Sequence, residues 1–490
     1  TFADTFYRAA TETEDVRKDH GARLNAFLMS HDIDEWSSAF LDPSWTHDVI
    51  RPTEVLQLAD FYQLMDKTCH IRRQIVERVL KGIAIRSHFK LSLENARDSL
   101  LGSCENKSHI LLLETTSSGE DSDGAGHLKA KFDITDQLNE LDKDLAFLEF
   151  VQSDDVNNVE QFVESLGQFH PEGPQLFSEE VSHALNLLTE GDHFNYFFTD
   201  RDGTLKSYSC SYPASIQPAY SAVIQAQFAR RCAQFCAIVT TAPLMHIGIL
   251  NVSSMPEGYY AYGASAGREW YLNPSTQFKD DTVNEVDLAL LNRAFDLVED
   301  MLETPELRNF TWIGSGLQKH YGLLTIAKQD VNASISKNRL AMLRDRIAKI
   351  VRDVDPTEST LTIKESDYDI KIYTKAKLSG KIFNKGHGIK LIQKKMGLKL
   401  NDGKLLVCGD SETDLPMLEE LLAISPKNVY TIWVTKNDNL KKKVEDLCVS
   451  RENNHFVFVS CPEVLLGAMA QATVRIINIR PGGDPDHEEE

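Results

Sequence analysis

The chain has 490 residues, which is too long for one hydrophobic core and predicts about three domains. Its net charge of −21 argues against a nucleic-acid partner and means that an anionic substrate needs a locally basic site. No apolar run reaches the roughly 18 residues of a membrane span, and no signal peptide is visible, although a chain that starts at Thr1 can have been trimmed. The eight cysteines are spaced as reduced thiols of a cytoplasmic protein and not as a disulfide framework or a zinc site.

The N-terminal part, residues 1–105, carries helical signals and is predicted to be an all-α bundle. Pro52 precedes the first clear helix, and the apolar residues from Leu58 to Met65 have the spacing of one buried helix face. A second amphipathic segment follows at 89–101. Such a bundle could bind a protein partner or self-associate, and the alternative is that it only covers part of the core.

Residues 106–189 are predicted to be a linker followed by a helical connection to the core. The clearest linker is 115–126, because its polar, acidic and glycine-rich composition offers little to bury. Helical patterns resume at 133–168 and 178–190. At the end of the chain, the proline, glycine and glutamate residues of 481–490 predict a flexible tail.

The most informative motif places two aspartates, Asp200 and Asp202, on a Gly-Thr turn after the apolar run 194–199. Residues i and i+2 of a strand share a face, so both carboxylates can reach one crevice at the strand's carboxyl end. Asp200 can attack a phosphorus atom while its other oxygen binds a divalent cation, and Asp202 can give a proton to the leaving oxygen. An ordinary aspartate-rich turn and a calcium loop are the alternatives for this motif alone.

Two further segments supply groups that suit a phosphate. The strand at 237–239 ends in the hydroxyls of Thr240 and Thr241, although alone it could be a plain buried strand. Lys385 stands at the start of an amphipathic helix, where a cation beside helix N–H groups would hold a phosphoryl group and a carboxylate together. The alternative for Lys385 is a solvated lysine at a helix start.

A second acidic turn follows the apolar strand 405–409 and contains Asp410, Ser411 and Asp414. Clustered carboxylates at a strand end suit a hard cation such as magnesium. An acidic capped turn without a metal is the alternative.

The stretch between Thr240 and Lys385 is about 145 residues long, far beyond the length of a loop. We therefore expect an α/β lid at 256–375 over the active site, which would exclude water and select the leaving group. The predicted pieces are lid strands at Tyr259–Tyr262 and Leu323–Ala327, lid helices at 285–303 and 334–352, and core segments at 190–255 and 376–480.

The order D-x-D-G-T, a hydroxyl after a strand, K-G and G-D-x-x-x-D resembles the haloacid-dehalogenase-like phosphatases. The resemblance implies a three-layer, Rossmann-like α/β core with a mostly parallel sheet, an inserted α/β cap and a site at the carboxyl ends of the strands. It also implies that Asp200 is the nucleophile and Asp202 the general acid/base. The implied phosphate ligands are Thr240, Thr241 and Lys385, and the implied Mg²⁺ ligands are Asp200, Asp202 and Asp410, with Ser411 and Asp414 behind them.

A lid of this size between the second and third motifs is typical of sugar-phosphate phosphatases. Within that set the chain most resembles the trehalose-6-phosphate phosphatases, in particular the long nematode form with an N-terminal helical domain. This resemblance implies a magnesium-dependent enzyme that hydrolyses trehalose-6-phosphate to trehalose and phosphate through an aspartyl-phosphate. The alternatives are a phosphatase for sucrose phosphate or a hexose phosphate, and a non-catalytic scaffold, which the intact pair of aspartates disfavours.

The lid departs from the family pattern in several places. The family has two basic residues nine positions apart on a lid strand, a lysine and then an arginine. Lys319 and Lys328 keep that spacing, and Lys328 stands in the place of the arginine. The family's E-H-G is Ser265-Ala266-Gly267 here, and Glu365 lies only near the position of a lid-exit glutamate. The candidate sugar contacts are Arg268, Lys319, His320, Lys328 and Glu365.

Overall fold

In the computed structural model of the protein, the described residues are 49–105, 108–114, 129–153, 159–245, 247–329, 335–374 and 383–479. From Ile50 onward they belong to one compact unit. The first 48 residues of the predicted bundle, the predicted linker at 115–126 and the predicted tail at 481–490 lie outside the described residues.

The N-terminal module consists of α1 (Leu58–Leu80), α2 (Ser87–Gly102), an antiparallel pair of strands, β1 (Ile110–Glu114) and β2 (Lys129–Asp133), and α3 (Thr135–Val151). Helix α1 begins at Leu58 because the Asp60 carboxylate accepts the backbone N–H of Gln57 at 3.0 Å. The predicted apolar stripe is confirmed, since Phe61, Leu64 and Met65 are buried. The pair of strands is not predicted by the sequence pattern.

The remaining elements alternate helices and strands in three blocks. The first core block contains α4 (Val159–Leu166), α5 (Pro174–Gly191), β3 (Phe194–Thr199), α6 (Ala219–Cys232), β4 (Ala233–Val239), α7 (Ile249–Val252), β5 (Ala261–Ala264), β6 (Glu269–Asn273) and β7 (Thr276–Lys279). The lid block contains α8 (Glu285–Leu302), β8 (Leu317–His320), β9 (Leu323–Ala327), α9 (Lys337–Val354), β10 (Leu361–Glu365) and β11 (Asp369–Thr374). The second core block contains α10 (Lys385–Met396), β12 (Leu405–Gly409), α11 (Leu415–Ile424), β13 (Val429–Val434), α12 (Asp438–Val449), β14 (Phe456–Val459) and α13 (Pro462–Ile479).

The core sheet has eight strands in the order β14-β13-β12-β3-β4-β5-β6-β7. The strands from β14 to β5 are parallel to their neighbours, whereas β6 and β7 are antiparallel. Successive side chains of β3 point to opposite faces, so Phe197 belongs to the apolar cluster that includes α5, α6 and α13, while Phe198 belongs to the separate cluster that includes α10 and α11. The prediction of a three-layer α/β core with a mostly parallel sheet is confirmed.

The lid carries a second sheet of four antiparallel strands in the order β10-β11-β9-β8. Helices α8 and α9 bury apolar side chains such as Leu291, Val298, Leu343 and Ile347. Because α8 contacts β9, β10 and β11, helices cover one face of this sheet.

The strand predicted at Tyr259–Tyr262 does not belong to the lid. Strand β5 pairs in parallel with β4, with Ala261 opposite Ala237, and the core sheet then continues to Lys279. All four residues of β5 are buried, and a short apolar run carries no information about which sheet it joins. The lid sheet begins only at Leu317, so the predicted lid boundary at 256 precedes three strands of the core sheet.

Within the described parts of the chain, no helix has both the length and the apolar character needed to cross a membrane. All eight cysteines are free thiols, as their spacing predicted.

Candidate active site

The candidate active site lies where three neighbouring parallel strands end. Strands β12, β3 and β4 are adjacent in the core sheet, and each ends just before a motif residue: Asp410, Asp200 and Thr240. Because the carboxyl ends of parallel strands meet at one edge of a sheet, these residues share one crevice. The Thr240 hydroxyl accepts the backbone N–H of Ala242 at 3.1 Å, which shapes the turn that leads to Thr241.

Lys385 connects two of the motifs. Its Nζ atom lies 2.6 Å from an oxygen of Asp200 and 2.6 Å from an oxygen of Asp414. The side chain is buried, yet the contacts with these carboxylates outweigh burial and hold the pKa of Lys385 above its usual value. Helix α10 can approach α11 closely enough to place Lys385 here because residue 386 is a glycine. A Cβ atom at that position would lie only 2.5 Å from the Pro416 carbonyl oxygen.

The carboxylates of Asp200, Asp410 and Asp414 form an acidic cluster whose ligand atoms lie within 4.8 Å of one another. Burial raises the pKa of Asp410 to about 9, and the charges of Asp200 and Asp414 push it in the same direction. Burial also raises the pKa of Asp200 to about 6, while Lys385 lowers it. A cation would offset this repulsion, and an oxygen-only donor set fits a hard divalent ion.

Asp410 and Asp414 receive different hydrogen bonds. Asp410 accepts from the Thr204 hydroxyl at 3.1 Å and from the Tyr208 hydroxyl at 2.7 Å. Asp414 accepts from the backbone N–H groups of Asp410 and Ser411 at 3.1 and 3.0 Å, so it closes the acidic turn. Asp414 therefore contacts both Asp410 and Ser411, and the role of Asp414 and Ser411 behind the metal ligands stays a prediction.

Asp202 is not a member of the acidic cluster. Its two carboxylate oxygens each lie 3.0 Å from Nη1 of Arg201, and one of them accepts the Ser215 hydroxyl at 2.7 Å. The Asp202 side chain is 18% exposed, so the carboxylate is held but still open to a neighbouring group.

A cavity of about 260 Å³ lies between the lid sheet and the core site. Of the predicted site residues, Thr241, Arg268, His320 and Lys385 line it. Gln318, Asp369 and Lys371 also line the cavity and were not predicted as site residues.

The structure does not bring the other predicted lid residues to the cavity. Gln318 and His320 of β8 face it, so Lys319 between them points to the opposite face, where its Nζ atom lies 4.7 Å from the Phe295 ring. Lys328 is buried in an ion pair with Glu365 at 2.5 Å, and Arg344 also contacts Glu365. The nine-residue spacing of Lys319 and Lys328 matches the family pattern. That spacing does not determine which face of the lid sheet each side chain occupies.

His320 has an unusual environment for a buried histidine. It is 6% exposed, and neither ring nitrogen has a hydrogen-bond partner among the described residues. Burial lowers the pKa of His320 to about 3, and Lys371 lowers it further. The ring is therefore neutral, with one nitrogen that can donate a hydrogen bond and one that can accept.

Two family models match this chain. The model for the C-terminal part of trehalose-6-phosphate phosphatase covers residues 197–465, more than half of the chain. The chain belongs to the trehalose-6-phosphate phosphatase family. The model for the N-terminal helical bundle domain of the family covers 57–166, which extends beyond the predicted bundle boundary at 105.

Individual relatives fall into two groups. Alpha,alpha-trehalose-phosphate synthase [UDP-forming] 1 of Caenorhabditis elegans is 57% identical over 476 residues, which are 97% of this chain and 36% of that protein. Trehalose-phosphatase of Caenorhabditis briggsae is 33% identical over 309 residues, which are 61% of this chain and 70% of that protein. Trehalose-phosphatase of Brugia malayi is 29% identical, covering 86% of this chain and 87% of that protein. The chain spans between 35% and 42% of the length of the synthase relatives.

Membership of the trehalose-6-phosphate phosphatase family implies a divalent metal, and the acidic cluster fits one. The family motifs did not reveal the contacts of Tyr208 with Asp410 or of Arg201 with Asp202, because both arise from the folded turn after β3. Lys371 could have been found from the alternation of Asp369, Lys371 and Tyr373 on one face of β11, had the orientation of that strand been known.

Proposed function

We propose that the protein is a magnesium-dependent phosphatase that hydrolyses trehalose-6-phosphate through an aspartyl-phosphate on Asp200. The observation that carries this proposal is the position of Lys385, which lies 2.6 Å from both Asp200 and Asp414 beside Asp410. Groups from three distant motifs thus converge on one point, where a phosphoryl group needs a nucleophile, a cation and a metal ligand.

The chain's own residues have separate roles in this mechanism. Lys385 neutralises charge between Asp200 and the phosphate, so that the carboxylate oxygen can approach the phosphorus atom. Thr240 and Thr241 bind phosphate oxygens. Asp202 gives a proton to the departing sugar oxygen and takes one from the water that cleaves the aspartyl-phosphate.

Mg²⁺ would be held by the carboxylates of Asp200 and Asp410 and by the backbone carbonyl of Asp202, with Asp414 and Ser411 behind them. When bound, the ion supplies positive charge beside the phosphoryl oxygens. The raised pKa values of Asp200 and Asp410, about 6 and about 9, support a cation at this position, because a cation stabilises their ionised forms.

The cavity supports a sugar phosphate as the substrate. Arg268, Lys371 and Lys385 supply three cationic groups to its lining against the one carboxylate of Asp369, in a chain of net charge −21, and a phosphate monoester requires such a locally basic site. Gln318 and neutral His320 offer hydrogen bonds to sugar hydroxyls. Trehalose-6-phosphate is favoured by the family match and by the relatives named trehalose-phosphatase.

The predicted contacts of Lys319, Lys328 and Glu365 with the sugar would require the lid to change its arrangement, since these residues do not line the cavity. The UDP-forming synthase activity in the names of other relatives is not proposed for this chain. The chain matches little more than a third of their length, and the groups assembled in its site are those of a phosphatase.

Phosphate release from trehalose-6-phosphate, sucrose-6-phosphate and glucose-6-phosphate, each with and without Mg²⁺, tests this proposal. We expect the highest kcat/KM for trehalose-6-phosphate, no turnover in excess chelator and recovery when Mg²⁺ is restored. Asp410→Ala should raise the required Mg²⁺ concentration sharply. A preference for another ester would change the substrate, and full activity in chelator would contradict the metal assignment.

A further inference from the structure

Asp202 is held by two neighbours whose positions are themselves fixed. Arg201 contacts both of its carboxylate oxygens, and Ser215 donates to one of them. Arg201 is 2% exposed and sits directly before Asp202 in the chain. A carboxylate that receives three hydrogen bonds from buried partners has one orientation, so whatever fixes Arg201 and Ser215 also orients Asp202.

Arg201 and Ser215 are both held by one turn, residues 250–254. Nη2 of Arg201 donates to the carbonyl oxygen of Val252 at 3.5 Å and also to that of Ser215. The Gln217 backbone N–H donates to the Val252 carbonyl at 2.9 Å, and the Gln217 side chain accepts from the Ser254 N–H at 3.0 Å. The turn therefore fixes the segment that carries Ser215 as well as the guanidinium of Arg201.

The N-terminal helices hold this turn from the other side. Arg73 of α1 donates from Nε to the Ser253 carbonyl at 2.9 Å and from Nη2 to the carbonyls of Leu250 and Asn251 at 2.9 and 3.0 Å. Arg73 thus satisfies three carbonyls around the end of α7. The Val252 carbonyl between them accepts the Gln217 N–H at 2.9 Å, and Nη2 of Arg201 lies 3.5 Å from the same oxygen. One guanidinium from the helical module and one from the catalytic motif share a single turn.

We infer that Arg73 and Arg201 are positioning residues for Asp202, so that the N-terminal helical module is part of the catalytic unit. This inference rests on the proposed function, in which Asp202 protonates the leaving group. In that step the bond between Asp200 and phosphorus forms, the bond between phosphorus and the sugar oxygen breaks, and that oxygen takes the proton of Asp202. Because α1 holds the turn at 250–254, the position of α1 helps to determine where the carboxylate of Asp202 lies.

The inference predicts a dependence on the leaving group. A sugar oxygen cannot leave without a proton, whereas a nitrophenolate is stable as an anion and needs none. A misplaced Asp202 should therefore slow the release of trehalose in the first turnover but leave the first turnover of nitrophenyl phosphate unchanged. A purely structural role of Arg73 would affect both substrates equally.

The experiment compares first-turnover rates on trehalose-6-phosphate and nitrophenyl phosphate for Arg201→Lys, Arg73→Met and Arg78→Met in the full chain. Arg78 is the matched control, since it lies on the same helix and also donates to a carbonyl, that of Ala84, within the N-terminal module. General acid catalysis contributes about 10²- to 10⁴-fold, so partial misplacement should lower the ratio of the two rates about tenfold for Arg201→Lys and about threefold for Arg73→Met. The ratio for Arg78→Met should stay at the wild-type value.

Arg73→Lys replaces Arg73→Met if the methionine variant does not fold, because lysine keeps the charge but cannot reach three carbonyls. Equal losses on both substrates, or an unchanged ratio in the Arg73 and Arg201 variants, would overturn the inference while the proposed function stands. A wild-type protein without activity on any phosphate ester would instead overturn the proposed function, and the inference with it.

Discussion

The core half and the lid half of the candidate site differ in how many of their polar groups are already paired. On the core side, Asp200, Lys385 and Asp414 are buried and joined by contacts of 2.6 Å. On the lid side, the two nitrogens of His320 have no partner among the described residues, and Lys371 is half-buried at the cavity. The core half therefore has its charged groups paired before a ligand binds, as the proposed phosphoryl chemistry requires, whereas the lid half leaves polar groups that a ligand can satisfy.

The largest effect should come from the core half and should not depend on the leaving group. Asp200→Asn removes the proposed nucleophile at nearly constant shape, so turnover should fall by more than about a hundredfold on trehalose-6-phosphate and on nitrophenyl phosphate alike. The exposed Asp402 provides the control, and Asp402→Asn should retain full activity. Asp200→Asn turnover above about a hundredth of wild type would mean that Asp200 is not the nucleophile.

A lid substitution should instead discriminate between the two substrates. Lys371→Met removes a cavity cation that a sugar phosphate can contact, so kcat/KM for trehalose-6-phosphate should fall about ten- to a hundredfold with little change on nitrophenyl phosphate. Lys319→Met, on the opposite face of the same sheet, is the matched control and should change kcat/KM by less than about twofold. A larger loss in Lys319→Met would show that the lid presents its other lysines to the sugar during turnover.

His320 tests whether the unpaired lid groups serve a ligand. His320→Leu removes two buried ring nitrogens that lack a hydrogen-bond partner among the described residues, so its melting temperature should equal or exceed that of wild type while KM for trehalose-6-phosphate rises about three- to tenfold. His170→Leu is the control for a buried histidine that is paired, because its ring contacts the Ser460 hydroxyl at 2.7 Å and the Glu172 N–H at 3.2 Å. Differential scanning calorimetry should show destabilisation in His170→Leu. Destabilisation in His320→Leu without a change in KM would assign His320 to packing.

The smallest expected effect is a dependence on pH of the rise in melting temperature that Mg²⁺ causes. The pKa of Asp410 rises from 3.8 to about 9 in the folded protein without metal, so protonation of Asp410 favours folding. That stabilisation is complete below about pH 3.8 and is lost as the pH rises through about 9, and a bound cation replaces the lost proton. Mg²⁺ should therefore raise the melting temperature by a few degrees more at about pH 8.5 than at about pH 6. Asp410→Asn should remove this difference, and an equal shift at both pH values in wild type would contradict the metal site.

Patterns within short sequence segments were sufficient to predict much of the core half of the candidate site. Asp200, Thr240 and Asp410 each follow an apolar strand, and such residues meet wherever the strands are parallel neighbours. Lys385 was identified from its place at a helix start, and its contact with Asp414 then followed from the approach of α10 to α11 at Gly386. These residues were predictable because each signal lies within about ten consecutive residues.

The sequence by itself placed the three strands that end before Asp200, Thr240 and Asp410, the order of the motifs, and a separate α/β segment between Thr240 and Lys385. Only the tertiary structure decided that β5, β6 and β7 extend the core sheet, that Lys371 and not Lys319 faces the cavity, and that Arg73 and Arg201 share one turn. Each of these features depends on strand register, on the face of a sheet or on the docking of distant segments. A side-chain alternation of period two is visible in a sequence, but which of its two faces meets the substrate is settled only when the lid packs against the core.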